Sequence, residues 1–323
     1  MADWLQRTSS NKEDKKVFAA KGGTEILLDG LKKHTNFNQY EDINLLISTP
    51  NPDKLRYTKK NVLWQHLNYS DESLGNMKDP AFMKAINSTV YVSHWQLEKF
   101  RYLFQVPLHN AHVIRNAIEP IEFKEKPKDG KIKLIYTSTP FRGLSILLDV
   151  MEILNRDDIE LDVYSSTQIY SSGYQQTYGH LYEELFDRAR NMKNVNYYGH
   201  ADNKDIHKAL QEAHIFSYPS IFEETSCLAM IEAGAAGCSL VTTDLGALPE
   251  TGSMYAKMMT IKSDEKDIKI SYAQHLNQAI NDYWSNSNQE LLKEQSNFYN
   301  KFYSWERRSK EWNQLFEKIT QSN

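Results

Sequence analysis

The residues with the most chemistry in this sequence are two glutamates and an arginine. The segment Tyr218-Pro-Ser-Ile-Phe-Glu-Glu-Thr-Ser-Cys-Leu-Ala-Met-Ile-Glu-Ala-Gly-Ala-Ala-Gly237 carries Glu224 and Glu232 across a strand end, a Pro-containing loop and the start of a helix near Ser226. Doubly wound sheets bind ligands at the carboxyl ends of their strands, which is where this loop falls. Thr225 and Ser226 offer N-capping hydroxyls, and the free N–H groups from Thr225 through Cys227 to Leu228 form an anion site. Glu224 is either a ligand group or simply an acid favoured at a helix N-terminus. Glu232 is either a solvated helix residue or a carboxylate set among Ile231 and Ala233 that needs a partner. Sugar hydroxyls are donors of the required kind. Ala233, Gly234, Ala235, Ala236 and Gly237 suit close approach of this helix to its sheet. Arg142 opens another helix, where a cation opposes the helix dipole unless an anion sits nearby.

Two further sites are less specific. Gly22-Gly23-Thr24-Glu25 is a tight turn or a place where backbone approaches a ligand closely. His66 follows the strand Val62–Gln65 and is either a buried structural histidine or a functional group at a strand's carboxyl end.

These residues need a scaffold, and the sequence alternates short β-rich runs with helical ones, the pattern of parallel α/β layers. In the first part, strands are expected at 16–20, 43–48, 62–65, 89–93 and 112–114, with helices at 25–33 and 95–104. The polar stretch Glu122-Phe-Lys-Glu-Lys-Pro-Lys-Asp-Gly130 reads as a linker or surface loop. A second series follows. Strands are expected at 132–137, 160–165, 195–198, 214–218 and 239–243, and helices at 144–154, 180–191, 205–213 and 228–236. The tail, 270–323, is helical and aromatic-rich. A first domain of roughly 118 residues buries little unaided, so the C-terminal helix is expected to return and pack on it.

Bulk properties set limits. The chain has 323 residues, 40% hydrophobic and 25% charged, ordinary for a soluble protein of two domains. No apolar run is long enough to span a bilayer and the N-terminus lacks a secretory layout, so a cytoplasmic protein is expected. Cys227 and Cys238 cannot form a disulfide framework and lack metal-ligand spacing. The sequons at Asn68 and Asn87 are then chance matches. A net charge of −4 argues against nucleic acid as the main partner. Residues 1–118 hold 16 Lys and Arg against 12 Asp and Glu, a net +4, whereas the remainder holds 22 against 30, a net −8. That asymmetry fits peripheral contact of the first domain with an anionic membrane or acceptor, and equally an ordinary scatter of charge.

Glu224-x7-Glu232, then Ala-Gly-Ala-Ala-Gly237 and Val241-Thr-Thr-Asp-Leu-Gly-Ala-Leu-Pro-Glu250, resembles the retaining family 4 glycosyltransferases (glycosyl transferases group 1) of GT-B fold. That family combines a Pro-Ser loop, an E-x7-E pair, a small-residue helix and a strand ending in a Gly-x-x-x-Glu turn. Ile135-Tyr-Thr-Ser-Thr-Pro-Phe-Arg-Gly-Leu-Ser-Ile-Leu-Leu148 is similar to its first nucleotide-domain strand and turn, where two basic residues usually clamp the donor diphosphate. Arg142 matches the second. Thr137 or Ser138 stands where the first is commonly Arg. Val92-Ser-His-Trp-Gln96, Val113-Ile-Arg-Asn-Ala-Ile118 and Phe302-Tyr-Ser-Trp305 resemble further landmarks, although Ala117 and Glu119 replace the usual Gly and Asp.

The resemblance implies two Rossmann-like doubly wound domains facing a cleft. Residues 1–118 plus about 306–323 form the acceptor side, and 119–305 bind a nucleoside diphosphate sugar as donor substrate, with no other cofactor. It implies Glu232 on the ribose and Glu224 on the sugar. The amides of Thr225, Ser226, Cys227 and Leu228 lie beside Arg142 on the diphosphate, Gly22 and Gly23 across the cleft, and His66 near the transferred sugar. Asn116 is expected to organise the interdomain crossing. No Asp-x-Asp occurs, so a metal-independent transfer is expected, with retention at the anomeric carbon, to a glycan, lipid-linked or protein acceptor. The alternatives are a non-catalytic nucleotide- or glycan-binding protein, or another GT-B enzyme such as a sugar-nucleotide epimerase.

Overall fold

A computed structural model describes residues 22–168 and 179–321. The strand expected at 16–20 lies outside the described residues. Two parallel sheets organise the chain. The first, in order β1-β2-β3-β4, comprises Ile43–Ile47, Lys60–Gln65, Ser88–Tyr91 and Ala111–Val113. The second has the order β10-β9-β8-β5-β6-β7, with β5 at Ile132–Thr137, β6 at Ile159–Tyr164, β7 at Val195–Tyr197, β8 at Ile215–Tyr218, β9 at Ser239–Thr243 and β10 at Lys257–Met259. In the second sheet the chain order reverses between β5 and β8, the switch point where doubly wound folds open a crevice.

Strands covered on both faces read as near-continuous apolar runs, and β8 is buried at every position. In the small sheet the period-2 alternation divides the core. Val62 and Trp64 of β2 face one layer with Leu27, Leu31, Trp312 and Phe316, whereas Leu63 faces the other with Leu46, Phe82, Tyr91 and Phe100.

Among the described residues the α-helices are α1 (Gly23–His34), α2 (Pro80–Ala85), α3 (His94–Phe104), α4 (Leu144–Leu154), α5 (Glu183–Asn191), α6 (Asn203–Glu212), α7 (Leu228–Ala235), α8 (Leu248–Gly252), α9 (Glu265–Asn281), α10 (Asn286–Phe302) and α11 (Trp305–Gln321). The last returns to the first sheet, as its small core requires. Trp312 meets Trp64 edge-on at 4.9 Å, and Trp305 packs so closely on Gly30 that a Cβ there would lie 2.1 Å from the indole. The outgoing and returning chains cross side by side, with the Ile118 amide donating to the Tyr303 carbonyl at 2.8 Å.

Two expectations need correction. The stretch 122–130 is not one of them: it has no regular structure and is mostly exposed, as a linker or surface loop should be, although one of its residues turns inward. Lys126 is buried, and its ammonium donates to the carbonyls of Leu210, Gln211 and Ala236 at 2.9, 2.9 and 3.0 Å, closing the C-terminal ends of α6 and α7. Its long stem lets a lysine that reads as polar in sequence reach acceptors in the interior. First, within 233–237 the two glycines make room for α10 and the linker rather than for the sheet. A Cβ on Gly234 would lie 2.6 Å from the Tyr299 ring, and one on Gly237 (φ +80°) 2.5 Å from Phe123. Second, α7 begins at Leu228 with Cys227 at its N-cap and no side-chain cap, so Thr225 and Ser226 do not cap it.

Candidate active site

A cleft of about 320 Å³ lies between the carboxyl ends of the two sheets. Four helices begin on it or beside it: α1 at Gly23 and Thr24, α4 just after Arg142, α6 at Asn203, and α7 at Leu228. None of the four has a side-chain N-cap; outside the cleft Asp79, Ser93, Asp264 and Ser285 cap α2, α3, α9 and α10, while α5 and α8 are also uncapped. Free amides and converging helix dipoles make the cleft suited to an anion.

Glu224 and Arg142 meet there although they are far apart in sequence. Two glycines explain the placement. Gly143 has φ +120°, and a Cβ on it would lie 2.1 Å from the Pro219 carbonyl, so the Arg142 turn presses directly on the Pro219-Ser220 loop. Gly246 has φ +65°, and a Cβ there would lie 2.6 Å from the Glu224 nitrogen, while the Ala247 amide donates to the Glu224 carbonyl at 2.7 Å. The Gly-x-x-x-Glu turn therefore props the glutamate segment from behind.

The Glu224 side chain is 4% exposed. Arg142 Nη1 donates to its two oxygens at 2.7 and 2.9 Å, and the Tyr218 hydroxyl donates to Oε1 at 2.5 Å. Burial, with the Glu224 charge alongside, pushes the Tyr218 phenol well above its ordinary range, so it stays a donor. Arg142 also lies 4.7 Å above the Phe222 ring. Glu232 is half-buried on the same wall, and its partner is His207 of α6, with Nε2 3.1 Å from Oε1. Burial raises the Cys227 thiol, so the thiolate is disfavoured, although this residue also lines the cleft.

On the opposite wall, Gly23 lies so near α7 that a Cβ would be 3.0 Å from Leu228 Cδ1. Gly22 does not line the cleft; it is the N-cap of α1, and a Cβ there would meet only Glu25. His66 does line it, its ring tilted 55° against Trp64 at 4.5 Å, with its carbonyl accepting from the Thr225 hydroxyl at 3.0 Å. The residue as a whole is half-buried, but its Nε2 is sealed and unpartnered, and burial lowers its pKa to about 3. It is a neutral imidazole at physiological pH.

Several cleft residues do not stand out in the sequence. Thr139, His200 and Asn203 line the wall, Tyr218 supports it from below, and His207 reaches Glu232. Asn116, assigned to the crossing, lies on the wall as well, with its amide oxygen unpartnered. Thr137 Oγ1, Thr139 Oγ1 and His200 Nε2 are likewise sealed without a partner. Glu250 stands outside the cleft and ties the domains together. Its carboxylate accepts from the amides of His94 (2.8 Å) and Trp95 (3.1 Å) and from Arg115 (2.7 Å). Among the described residues no cluster of three His, Cys, Asp or Glu is placed to hold a metal, and no helix is long and apolar enough to cross a membrane.

Comparison with known proteins agrees with this architecture. A curated human relative, one of the subunits of phosphatidylinositol N-acetylglucosaminyltransferase, is 27% identical over 142 residues, covering 43% of this chain and 28% of the relative. The chain thus aligns with under a third of that relative's length. A glycosyltransferase from Rickettsia africae superposes with a TM-score of 0.69 at 13% identity, covering 98% of this chain and 85% of its own. Anabaena HepE, solved in complex with UDP-glucose, gives 0.65 at 14% identity over 92% of this chain and 82% of its own. The fold they share with this chain is GT-B. The family model of glycosyl transferases group 1 matches residues 117–298, more than half of the sequence, and the chain belongs to that family.

Proposed function

We propose that this chain transfers a sugar from a nucleoside diphosphate sugar to an acceptor, with retention at the anomeric carbon and without a divalent metal. The observation that carries the reading is the cleft in which Glu224, Arg142 and Glu232 meet the uncapped starts of four helices. Free amides and a cation suit a diphosphate, and two carboxylates suit the hydroxyls on either side of it. Glu232, steadied by His207, takes the ribose hydroxyls. Glu224 takes hydroxyls of the transferred sugar, with its orientation fixed by Tyr218. The amides of Thr225 to Leu228 and the α7 dipole, with Arg142, stabilise the charge that develops on the departing diphosphate. These groups are preorganised, so they assist the step itself rather than binding alone. In a metal-independent transfer, Arg142 and the amides supply electrostatic assistance in the place of a metal ion. Retention follows from attack on the face the leaving group departs from, with the leaving phosphate taking the acceptor's proton.

Neutral His66 is placed on the acceptor side of the cleft, where it offers a hydrogen bond rather than a charge. The acceptor is a glycan, a lipid-linked sugar or a protein, reached through the smaller domain, whose positive balance favours contact with an anionic surface. HepE holds UDP-glucose, which makes UDP-sugars the first donors to try.

A thermal-shift screen of UDP-, GDP- and ADP-sugars tests the reading. A ligand at 100 times its Kd adds about 2.7 kcal/mol of stability. One donor series should raise the midpoint, and no shift with any of them would refute the assignment.

A further inference from the structure

Glu224 lies within residues 219–227, which join β8 to α7 without regular structure. Its own domain holds the residue itself. Arg142 and Tyr218 donate to the carboxylate, and the Ala247 amide donates to the carbonyl. The residues on either side are held by the first domain. Asn68 Nδ2 donates to the Glu223 carbonyl at 2.7 Å, the Tyr69 hydroxyl donates to the Glu223 carboxylate at 2.7 Å, and the Thr225 hydroxyl donates to the His66 carbonyl at 3.0 Å. Among the described residues, the hydrogen bonds to Glu223 come from Asn68 and Tyr69 alone.

The loop that reaches across, residues 66–69 after β2, is anchored by two fully buried glutamines, Gln65 and Gln96. Gln65 Oε1 accepts from the Leu67 amide at 2.8 Å, and its Nε2 donates to the Ser48 carbonyl at 2.9 Å. Gln96 Nε2 donates to the Leu67 carbonyl at 2.9 Å. A buried amide is costly unless paired, and each of these has a partner on this loop. Tyr69 packs on Trp95 with ring centroids 5.9 Å apart, and Lys99 Nζ lies 5.2 and 5.5 Å from the two ring centres, which holds the phenol in place. The hydrogen bond to Glu223, with burial, raises the Tyr69 phenol, so it stays a donor. The first domain therefore presents a fixed pair of donors to the segment that carries Glu224.

We propose that Asn68 and Tyr69 are positioning residues, which clamp Glu223 from across the interface and so fix the backbone from which Glu224 meets the transferred sugar. The proposal rests on the nucleoside diphosphate sugar reading above. The diphosphate half of the site, Arg142 and the amides at the start of α7, is built within the second domain. The sugar half depends on both domains, because the segment around Glu224 is completed by the first. A reacting group displaced by about 1 Å loses up to about 100-fold in rate, so a loosened clamp acts on turnover before it acts on nucleotide affinity.

Tyr69→Phe removes the hydroxyl and keeps the ring on Trp95, and Asn68→Ala removes the second donor. Nucleoside diphosphate release is measured at steady state with the sugar donor that wild type accepts, beside calorimetric titration with UDP, GDP or ADP, whichever wild type binds. Each variant should lower kcat about 10-fold and the double variant further, with the nucleoside diphosphate Kd within about 2-fold of wild type. Glu223→Leu should lower kcat to the same extent, and adding Tyr69→Phe to it should change kcat by less than about 2-fold, because the bond is already gone. A double variant of Asn68 and Tyr69 that turns over as wild type does would overturn the proposal and leave the donor reading standing. Equal losses in kcat and in nucleoside diphosphate affinity would overturn it too, since they report general distortion of the cleft, as would a Tyr69→Phe effect that persists undiminished in Glu223→Leu. Failure of wild type to bind any of the three diphosphates would overturn the donor reading itself, and the proposal with it.

Discussion

Replacing Arg142 in the absence of any nucleotide should cost folding stability, because it strands the Glu224 carboxylate. That carboxylate is nearly sealed, and its partners are Arg142 Nη1 at 2.7 and 2.9 Å and the Tyr218 hydroxyl at 2.5 Å. Removing one member of a buried ion pair typically costs about 3–5 kcal/mol. Arg142 keeps 27% of its side chain exposed and Tyr218 still supports the acid, so Arg142→Met should fall lower, at about 2–3 kcal/mol. Glu224→Gln keeps a hydrogen bond to Tyr218 and leaves a cation that can turn to solvent, at about 1–2 kcal/mol. The double variant should then be far less destabilised than the sum, with a coupling of about 1.5 kcal/mol or more. Urea denaturation of the four proteins at pH 7, followed by circular dichroism, measures it. Additivity within about 0.5 kcal/mol would show that the pair contributes nothing and refute the reasoning. In turnover, Arg142→Ala should raise the donor KM and lower kcat, together by about 2–4 kcal/mol, and near wild-type kinetics would remove Arg142 from the site.

Gly246→Ala places a methyl against the Glu224 backbone at a positive φ, so it should cost about 1–3 kcal/mol and weaken nucleotide binding together; wild-type values for both would contradict the propping role. Lys126→Met leaves three helix-end carbonyls without their donor, so the urea midpoint should drop by the equivalent of about 2 kcal/mol while kcat/KM of the folded enzyme is kept; loss of kcat/KM at full folding would place Lys126 in the site instead. At Glu250, burial alone would raise the carboxyl, but hydrogen bonds from His94 and Trp95 and the Arg115 charge outweigh it and hold the pKa below the ordinary range. Its stabilisation is then present above the ordinary carboxylate pKa and lost as pH falls through the lowered one. Glu250→Gln should therefore be less stable than wild type at pH 7, by about 1 kcal/mol, with the gap closing in acid; a gap independent of pH would refute the latch.

Most of the second domain is legible in the sequence because its signals are local. Apolar runs of strand length alternate with helical periods from 132 to 243, and the loop before α7 carries Glu224 and Glu232 at a specific spacing. What sequence does not show is the partnership of distant residues. Nothing local pairs His207 with Glu232, or Lys126 with the ends of two helices; each depends on elements meeting in three dimensions. The small-residue stretch at 233–237 reads as serving the sheet because spacing does not reveal which neighbour comes close, and Tyr299 and Phe123 do. β10 escapes a sequence reading because three residues, Lys257-Met-Met259, carry no periodicity. Thr137 and Ser138 stand out only as a missing arginine, whereas the structure places both residues along the cleft.

The most direct test of the central claim is to incubate wild type and Glu224→Gln with the donor found in the screen, an acceptor or water, and excess EDTA. Nucleoside diphosphate release and the anomeric configuration of the new sugar are followed by proton NMR. The account predicts release that survives EDTA, a product with the donor's anomeric configuration, and little turnover in Glu224→Gln. An inverted product, release abolished by EDTA, or undiminished turnover in the variant would contradict it.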